Sequence, residues 1–202
     1  MKVITKEHLS QASIILKHGG IVAFPTETVY GLGVRADKEE CYEKLVEVKH
    51  RRPDQPFTVM CSDINMIEKF LVVDKVTRTI INKFMPGPIT LILKTSTDVA
   101  HHLDLGTGFV GVRIPKNKLV LDLINQVGVP LLVPSANPTG LAPALSSVEV
   151  IKYFNDKIDC VIEGECKSNT PSTIIKIENG NISLIRKGEI ELETILEAIK
   201  WE

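Results

Sequence analysis

The sequence predicts an α/β fold in a single domain, with a twisted mixed parallel and antiparallel sheet flanked by helices. Segments with apolar residues at helical spacing alternate with short apolar runs that are typical of buried strands. The alternation is irregular and several connections are short, which favours a mixed sheet over a regular doubly wound one. No internal repeat, low-complexity tract or linker divides the chain, so we predict one domain over residues 1–202.

Hydrophobic periodicity and turn residues locate the individual elements. The predicted helices cover residues 7–18, 38–48, 64–71, 73–84, 119–126, 147–154 and 192–200. The predicted strands cover residues 21–24, 57–61, 89–94, 109–114, 130–133, 160–162, 173–177 and 182–186. Asp74 is predicted to be the N-cap of the helix over 73–84, because its side chain can accept a backbone N–H of the first turn.

Composition and charge exclude several classes of protein. Hydrophobic residues make up 44% of the chain and charged residues 24%, as in ordinary globular proteins. The formal net charge of -1 argues against a surface that binds nucleic acid throughout, but leaves room for a local basic cleft. No apolar run approaches the roughly 18 residues that span a bilayer. The N-terminus lacks the apolar core of a secretion signal, so the sequence predicts a cytoplasmic protein without membrane contact.

The cysteines and histidines do not form the pattern of a metal site. Four cysteines are present, and none belongs to a C-x-x-C pair: Cys41, Cys61, Cys160 and Cys166. We predict that they are half-buried thiols and neither metal ligands nor disulfide partners. His101 and His102 lie in a polar stretch and are predicted to be a solvated pair.

Polar side chains are grouped at the ends of predicted strands. They lie at residues 26–30, 49–55, 113, 135–137, 172–173 and 186. Each group alone is typical of an ordinary turn or a surface ion pair. Together they supply several cations, hydroxyls and amides without a nucleophile–base pair, which suits an anionic substrate, since arginine binds carboxylate and phosphate oxygens in bidentate fashion. No P-loop, dinucleotide-binding G-x-G-x-x-G or G-x-S-x-G motif is present.

Seven of these segments, in this order, resemble the YrdC/YciO family, whose best-known members are L-threonylcarbamoyladenylate synthases. They are GGIVAFPTETVYGLG at 19–33, Lys49-His50-Arg51 followed by Gln55-Pro56-Phe57, MPGPITLIL at 85–93, VGVRIP at 110–115, PSANPTG at 134–140, PSTII at 171–175 and Arg186-Lys187-Gly188. The resemblance covers residues 19–188 and implies a single YrdC-like domain with a concave basic cleft.

The resemblance also implies a reaction and its partners. L-threonine is N-carboxylated by bicarbonate or carbon dioxide, and the carbamate oxygen attacks the α-phosphorus of ATP, which brings Mg²⁺. Pyrophosphate leaves, and threonylcarbamoyl-AMP passes to a threonylcarbamoyl-transferase that modifies the adenosine beside the anticodon of certain tRNAs. Such chemistry depends mainly on positioning and charge neutralisation.

Family roles can be carried over residue by residue. The resemblance implies catalytic roles for Lys49 and Arg51. It implies threonine binding by Thr26, Thr28, Tyr30, Arg113 and Ser172. It implies ATP binding by Lys49, Arg51, Gln55, Ser135, Asn137, Pro143 and Arg186. The sequence leaves open which residues bind Mg²⁺, because no carboxylate has the spacing of a metal ligand. We expect Arg51→Ala and Arg113→Ala each to abolish activity and to leave the fold intact.

The chain departs from many synthases at one predicted strand, where Met60 replaces a histidine that helps to hold the substrate. There the sequence looks more like YciO and the YrdC-like domain of the hydrogenase-maturation carbamoyltransferases. Because the sequence ends soon after Arg186, we expect the short type of synthase without an extra C-terminal domain. Two alternatives remain: a carbamoyl-phosphate-dependent adenylating enzyme, and a YciO-like non-catalytic protein that binds tRNA or double-stranded RNA.

Overall fold

The computed structural model describes residues 1–52, 54–166, 168 and 170–200, and in this part of the chain ten strands form one sheet. The strands are β1 (Lys2–Ile4), β2 (Val22–Phe24), β3 (Gly31–Arg35), β4 (Val59–Met60), β5 (Ile89–Lys94), β6 (Phe109–Arg113), β7 (Leu131–Leu132), β8 (Cys160–Ile162), β9 (Thr173–Glu178) and β10 (Asn181–Arg186). Their order in the sheet is β1-β8-β2-β3-β7-β4-β6-β5-β9-β10.

The sheet is mixed, as the sequence predicts. The pairs β1–β8, β2–β8, β4–β6 and β5–β9 are parallel, and the other neighbours are antiparallel. Strands β2 and β3 form a hairpin in which Val22 is paired with Gly33. Residues 25–30 connect the two strands of this hairpin, so their polar side chains lie where β2 ends and β3 begins, between β8 and β7 in the strand order.

Helices cover both faces of the sheet. They are α1 (Leu9–Lys17), α2 (Glu39–Lys49), α3 (Ile64–Glu68), α4 (Lys75–Phe84), α5 (His101–Asp104), α6 (Lys118–Val127), α7 (Ser147–Phe154) and α8 (Leu192–Ile199). The predicted cap of α4 is confirmed, because the Asp74 carboxylate accepts the backbone N–H of Thr77 at 2.8 Å. In the described residues, no helix is both long enough and apolar enough to cross a bilayer.

The side chains of β2 alternate between two apolar cores, as a strand buried on both faces requires. Ala23 belongs to the core under α2, α4, α7 and α8, in which Leu45 and Ile195 are fully buried. Val22 and Phe24 belong to the core under α1 and α6. Packing on both faces of the sheet therefore holds β2 in place, and with it the start of the polar connection.

Three elements are not predicted from the sequence: β1, β3 and α5. Strand β3 contains Gly31 and Gly33, residues that usually weaken a strand. Here they permit close packing, since a Cβ at Gly33 would lie 2.5 Å from a ring carbon of Phe24, and one at Gly31 would lie 2.5 Å from Val133. The glycines therefore mark a close approach of side chains to a strand, which is a different use from a turn.

The prediction of a solvated histidine pair is wrong for His102. Its side chain is buried in α5, with Nε2 2.8 Å from the backbone oxygen of Ala36 and the ring 5.8 Å from that of Tyr42. The helix turns the ring inward, so the polar sequence around it is misleading. All four cysteines are free thiols, and three of them are buried.

Candidate active site

Nine of the predicted site residues line one cavity of about 240 Å³. They are Thr26, Thr28, Tyr30, Arg51, Arg113, Ser135, Pro143, Ser172 and Arg186. The walls come from the β2–β3 connection, the segment from the end of α2 to β4, the start of β5, the ends of β6 and β10, the loop after β7 and the start of β9. Lys49, Gln55 and Asn137 are not among the lining residues. The sheet thus brings together segments that are far apart in sequence.

Two threonines shape the hairpin connection. The Thr26 hydroxyl donates to the backbone oxygen of Val29 at 2.7 Å and accepts the backbone N–H of Thr28 at 3.1 Å. The two hydroxyls lie 3.0 Å apart. Thr26 therefore stabilises the turn, and the Thr28 hydroxyl accepts from the Arg113 guanidinium. Tyr30 lines the cavity, but its hydroxyl is engaged in the interior, where it donates to Ile162 at 3.0 Å.

Arg113 ends β6 and is 4% exposed. Its Nε donates to the backbone oxygen of Gly87 at 3.1 Å, and its Nη2 donates to a carboxylate oxygen of Glu27 at 2.7 Å. Both terminal nitrogens lie within 3.5 Å of the Thr28 hydroxyl. Met60 is the register partner of Arg113 in the parallel pair β4–β6 and also lines the cavity. The guanidinium is consequently fixed in a wall that Met60 makes partly apolar.

Arg186 ends β10, and Ser172 and Thr90 connect it toward β5. Its guanidinium donates twice to the backbone oxygen of Ser172, at 2.9 and 3.1 Å, and once to the Ser172 hydroxyl at 3.0 Å. The Ser172 hydroxyl lies 3.0 Å from that of Thr90, a lining residue that the sequence did not single out. Burial, and then the positive charge of Arg113, lower the pKa of Arg186. The two cations thus repel each other, and an anion between them would relieve this repulsion.

Arg51 is held by the segment that follows it. Its Nε donates to the backbone oxygen of Gln55 at 3.2 Å, and its Nη2 donates to that of Pro56 at 3.1 Å. The guanidinium carbon lies 4.8 Å from the centre of the Phe57 ring, a cation–π distance. Burial lowers the pKa of Arg51. Gln55 therefore reaches the cavity only indirectly, because its backbone helps to orient Arg51.

Lys49 lies beneath the loop after β7 and is 2% exposed. Its ammonium donates to the backbone oxygens of Ser135 and Asn137, the latter at 2.7 Å, and lies 3.4 Å from the side-chain oxygen of Asn137. The Ser135 hydroxyl donates to that same amide oxygen at 2.6 Å, and the amide nitrogen of Asn137 donates to Leu141. Lys49 and Asn137 thus organise the loop that presents Ser135 to the cavity.

A family model described as "Telomere recombination", for the Sua5, YciO and YrdC proteins, matches residues 14–188. The chain belongs to this family. The Sua5/YciO/YrdC match includes every segment that lines the cavity.

Individual relatives of the Sua5/YciO/YrdC family agree over most of the chain. A Methanocaldococcus jannaschii relative is 36% identical over 88% of this chain and 84% of its own length. The threonylcarbamoyl-AMP synthase of Bacillus subtilis is 32% identical over 93% of this chain, which spans 55% of that protein. The crystal structure of Pyrococcus abyssi Sua5 complexed with L-threonine is 31% identical, with a TM-score of 0.94, over 99% of this chain and 61% of that one.

Some residues of this Sua5/YciO/YrdC site escape sequence reasoning. Phe57 and Thr90 line the cavity, and Glu27 pairs with Arg113 from behind it. Strand alternation could have identified Thr90, because it lies on β5 beside β9, where Ser172 precedes the first strand residue. Glu27 stands within the hairpin motif, but nothing in the sequence pairs it with a residue 86 positions away.

Lys49 should make stability depend on pH. Burial, with a further contribution from Arg51, lowers the pKa of Lys49 to about 7, whereas an unfolded lysine titrates near ~10.4. Between these values the unfolded chain binds more protons, so the free energy of unfolding should rise with pH. Below about pH 7 Lys49 is protonated in both states, so its contribution should no longer change with pH. Relative to Lys49→Met, the wild type should gain on the order of 2 kcal/mol from about pH 7 to pH 9 in urea titrations. A difference that stays constant across this range would contradict the assignment.

Gly188 should be intolerant of a side chain. A Cβ at this position would lie 2.3 Å from the backbone nitrogen of Thr173 and 2.4 Å from the backbone oxygen of Pro171. Gly188→Ala is therefore expected to lower the free energy of unfolding by about 1–3 kcal/mol and to displace Arg186 two residues before it. Gly111→Ala is the control, because its Cβ would lie 3.6 Å from Thr90, an ordinary contact. Equal denaturation midpoints for the two variants would refute this packing argument.

Proposed function

We propose that this protein forms threonylcarbamoyl-AMP from L-threonine, bicarbonate or carbon dioxide, and ATP, with release of pyrophosphate. The observation that carries the proposal is the set of three guanidinium groups, those of Arg51, Arg113 and Arg186, around one cavity whose described lining contains hydroxyls but no carboxylate. Such a cavity suits a ligand with several negative charges. The name of the Bacillus subtilis relative and the threonine in the Pyrococcus abyssi structure support this choice of substrates.

The wall formed by Thr28 and Arg113 is proposed to bind threonine. Arg113 would pair with the α-carboxylate, since its guanidinium is fixed by Gly87 and lies beside the Thr28 hydroxyl. Fixing the carboxylate orients the amino group, which becomes the carbamate. Holding that carbamate near the α-phosphorus replaces a collision of separate reactants by a reaction within one complex.

The loop after β7 and the two other arginines are proposed to bind ATP. Ser135 would turn its hydroxyl proton from the Asn137 amide oxygen to a phosphate oxygen, while Arg51 and Arg186 would neutralise the charge that develops as the carbamate oxygen attacks and pyrophosphate leaves. Lys49 would support this step mainly by holding the loop. In this scheme no protein nucleophile is needed.

Mg²⁺ is proposed to enter with ATP as part of the substrate. The described residues contain no cluster of three His, Cys, Asp or Glu side chains that could hold a metal ion. Mg²⁺ in nucleotide sites is often bound mainly by phosphates and water, with one or two protein oxygens. The Ser135 hydroxyl, which lines the cavity, is proposed to be such an oxygen.

The product implies a partner reaction. Threonylcarbamoyl-AMP is a mixed anhydride of a carbamate and a phosphate, so a transferase must move the threonylcarbamoyl group to an acceptor. We propose that this acceptor is the adenosine beside the anticodon of tRNA and that the reaction takes place in the cytoplasm.

A crystal structure with L-threonine and a non-hydrolysable ATP analogue tests the proposed arrangement. We expect the threonine carboxylate within hydrogen-bonding distance of Arg113, and the triphosphate between Arg51, Ser135 and Arg186. Threonine bound at another surface, or a triphosphate that avoids the three arginines, would contradict the proposal.

A further inference from the structure

Glu27 contacts the site from outside the cavity. It stands between two lining residues of the hairpin connection but is itself not a lining residue. Its Oε1 accepts from Arg113 Nη2 and from the backbone N–H of Lys116, both at 2.7 Å. The Arg113 side chain is 5% exposed and that of Glu27 is 16% exposed, so the ion pair is largely shielded from water. One carboxylate oxygen thus joins the hairpin connection to the end of β6 and the segment before α6.

The other carboxylate oxygen, Oε2, has no hydrogen-bond partner in the described residues and is buried. A buried acceptor without a donor lowers stability, and a buried ion pair is seldom the most stable choice for its position. Stability alone is therefore a poor explanation for a half-satisfied carboxylate here. Such a group calls for an explanation.

The geometry of Arg113 supplies a functional reason for keeping a carboxylate at this position. The backbone oxygen of Gly87 accepts from Nε, and Glu27 accepts from Nη2, so two of the three guanidinium nitrogens already have hydrogen-bond partners within the protein. The remaining Nη1 makes its contact with the Thr28 hydroxyl at 3.5 Å, the longest in the group. Nη1 is consequently the nitrogen with the most capacity to donate to a ligand.

We infer that Glu27 is a positioning residue, which holds the Arg113 guanidinium so that Nη1 presents its N–H groups to the carboxylate of the amino-acid substrate. The inference rests on the proposed function, in which Arg113 binds that carboxylate. Glu27 acts through the geometry of its Oε1 atom. Glutamine, which retains that acceptor, should therefore replace it, whereas alanine should not.

Steady-state kinetics of Glu27→Ala and Glu27→Gln test this role. For Glu27→Ala we expect the KM for threonine to rise by at least about tenfold, and the KM for ATP and kcat to stay within about threefold of wild type. Glu27→Gln should restore the KM for threonine to within about threefold of wild type. Asp159→Ala is the matched control, because this carboxylate also accepts a backbone N–H, that of Ile21 at 2.7 Å, but lies outside the cavity.

A merely structural role would lower stability, kcat, and kcat/KM for both threonine and ATP together. That result, or an unchanged KM for threonine in Glu27→Ala, would overturn the inference.

The NMR signal of Arg113 Nε–H separates this inference from the proposed function, since it requires no activity. We expect a sharp signal in wild type and Glu27→Gln, and a shifted or broadened one in Glu27→Ala. If pyrophosphate release by the wild type does not depend on threonine but the NMR signal behaves in this way, the proposed function fails and the positioning role stands. The same signal in all three proteins refutes the positioning role.

Discussion

Arg113→Ala is expected to abolish threonine-dependent pyrophosphate release and also to destabilise the protein. The guanidinium is the proposed partner of the substrate carboxylate, and it is also the ion-pair partner of Glu27. Removing it leaves a largely buried carboxylate unpaired, at a cost of about 3 kcal/mol. The burial of the pair thus adds a loss of stability to the sequence-based expectation, in which the fold stays intact and activity is lost.

A double variant separates the two effects of Arg113→Ala. Glu27→Gln in the same chain removes the unpaired charge, so Arg113→Ala/Glu27→Gln should regain part of the free energy of unfolding in urea titrations. Activity should stay lost in the double variant, because the carboxylate of the threonine substrate still lacks its cationic partner. Near-normal turnover in either protein would remove Arg113 from the site.

Arg51→Ala is expected to lower kcat/KM by at least about 100-fold with little change in stability. The side chain donates to backbone oxygens of its own segment and lies on Phe57, so its removal leaves no buried charge unpaired. Arg52→Ala is a close control, since the adjacent side chain is 75% exposed, pairs with Asp54 and does not line the cavity. If the two variants lost activity equally, the effect would arise from the loss of positive charge in this segment and not from Arg51 itself.

The order and type of most elements could be predicted from the sequence, because apolar periodicity and caps are local signals. The residue Asp74 illustrates this, since its capping role depends on Thr77 three positions away. The strand β3 could not be predicted in this way. Its glycines are explained by the rings and side chains packed against them, such as Phe24, and those contacts arise only in the sheet.

The composition of the site could be predicted better than its internal organisation. Motifs place Lys49 and Ser135 in one site, but a motif does not state which side chain faces the ligand. Lys49 is turned under the loop because the backbone oxygens of Ser135 and Asn137 converge there, and this convergence depends on a connection of 86 residues. The role of Glu27 was missed for the same reason, since its partner Arg113 is distant in sequence.

Pyrophosphate release from ATP tests the central claim most directly. The assay compares the complete mixture with mixtures from which threonine, or bicarbonate and dissolved carbon dioxide, are omitted, and Arg51→Ala serves as the inactive control. The proposed function predicts that release requires both threonine and the carbon source, and that threonylcarbamoyl-AMP accumulates in proportion. Release that is indifferent to threonine, or that depends instead on carbamoyl phosphate, would contradict it.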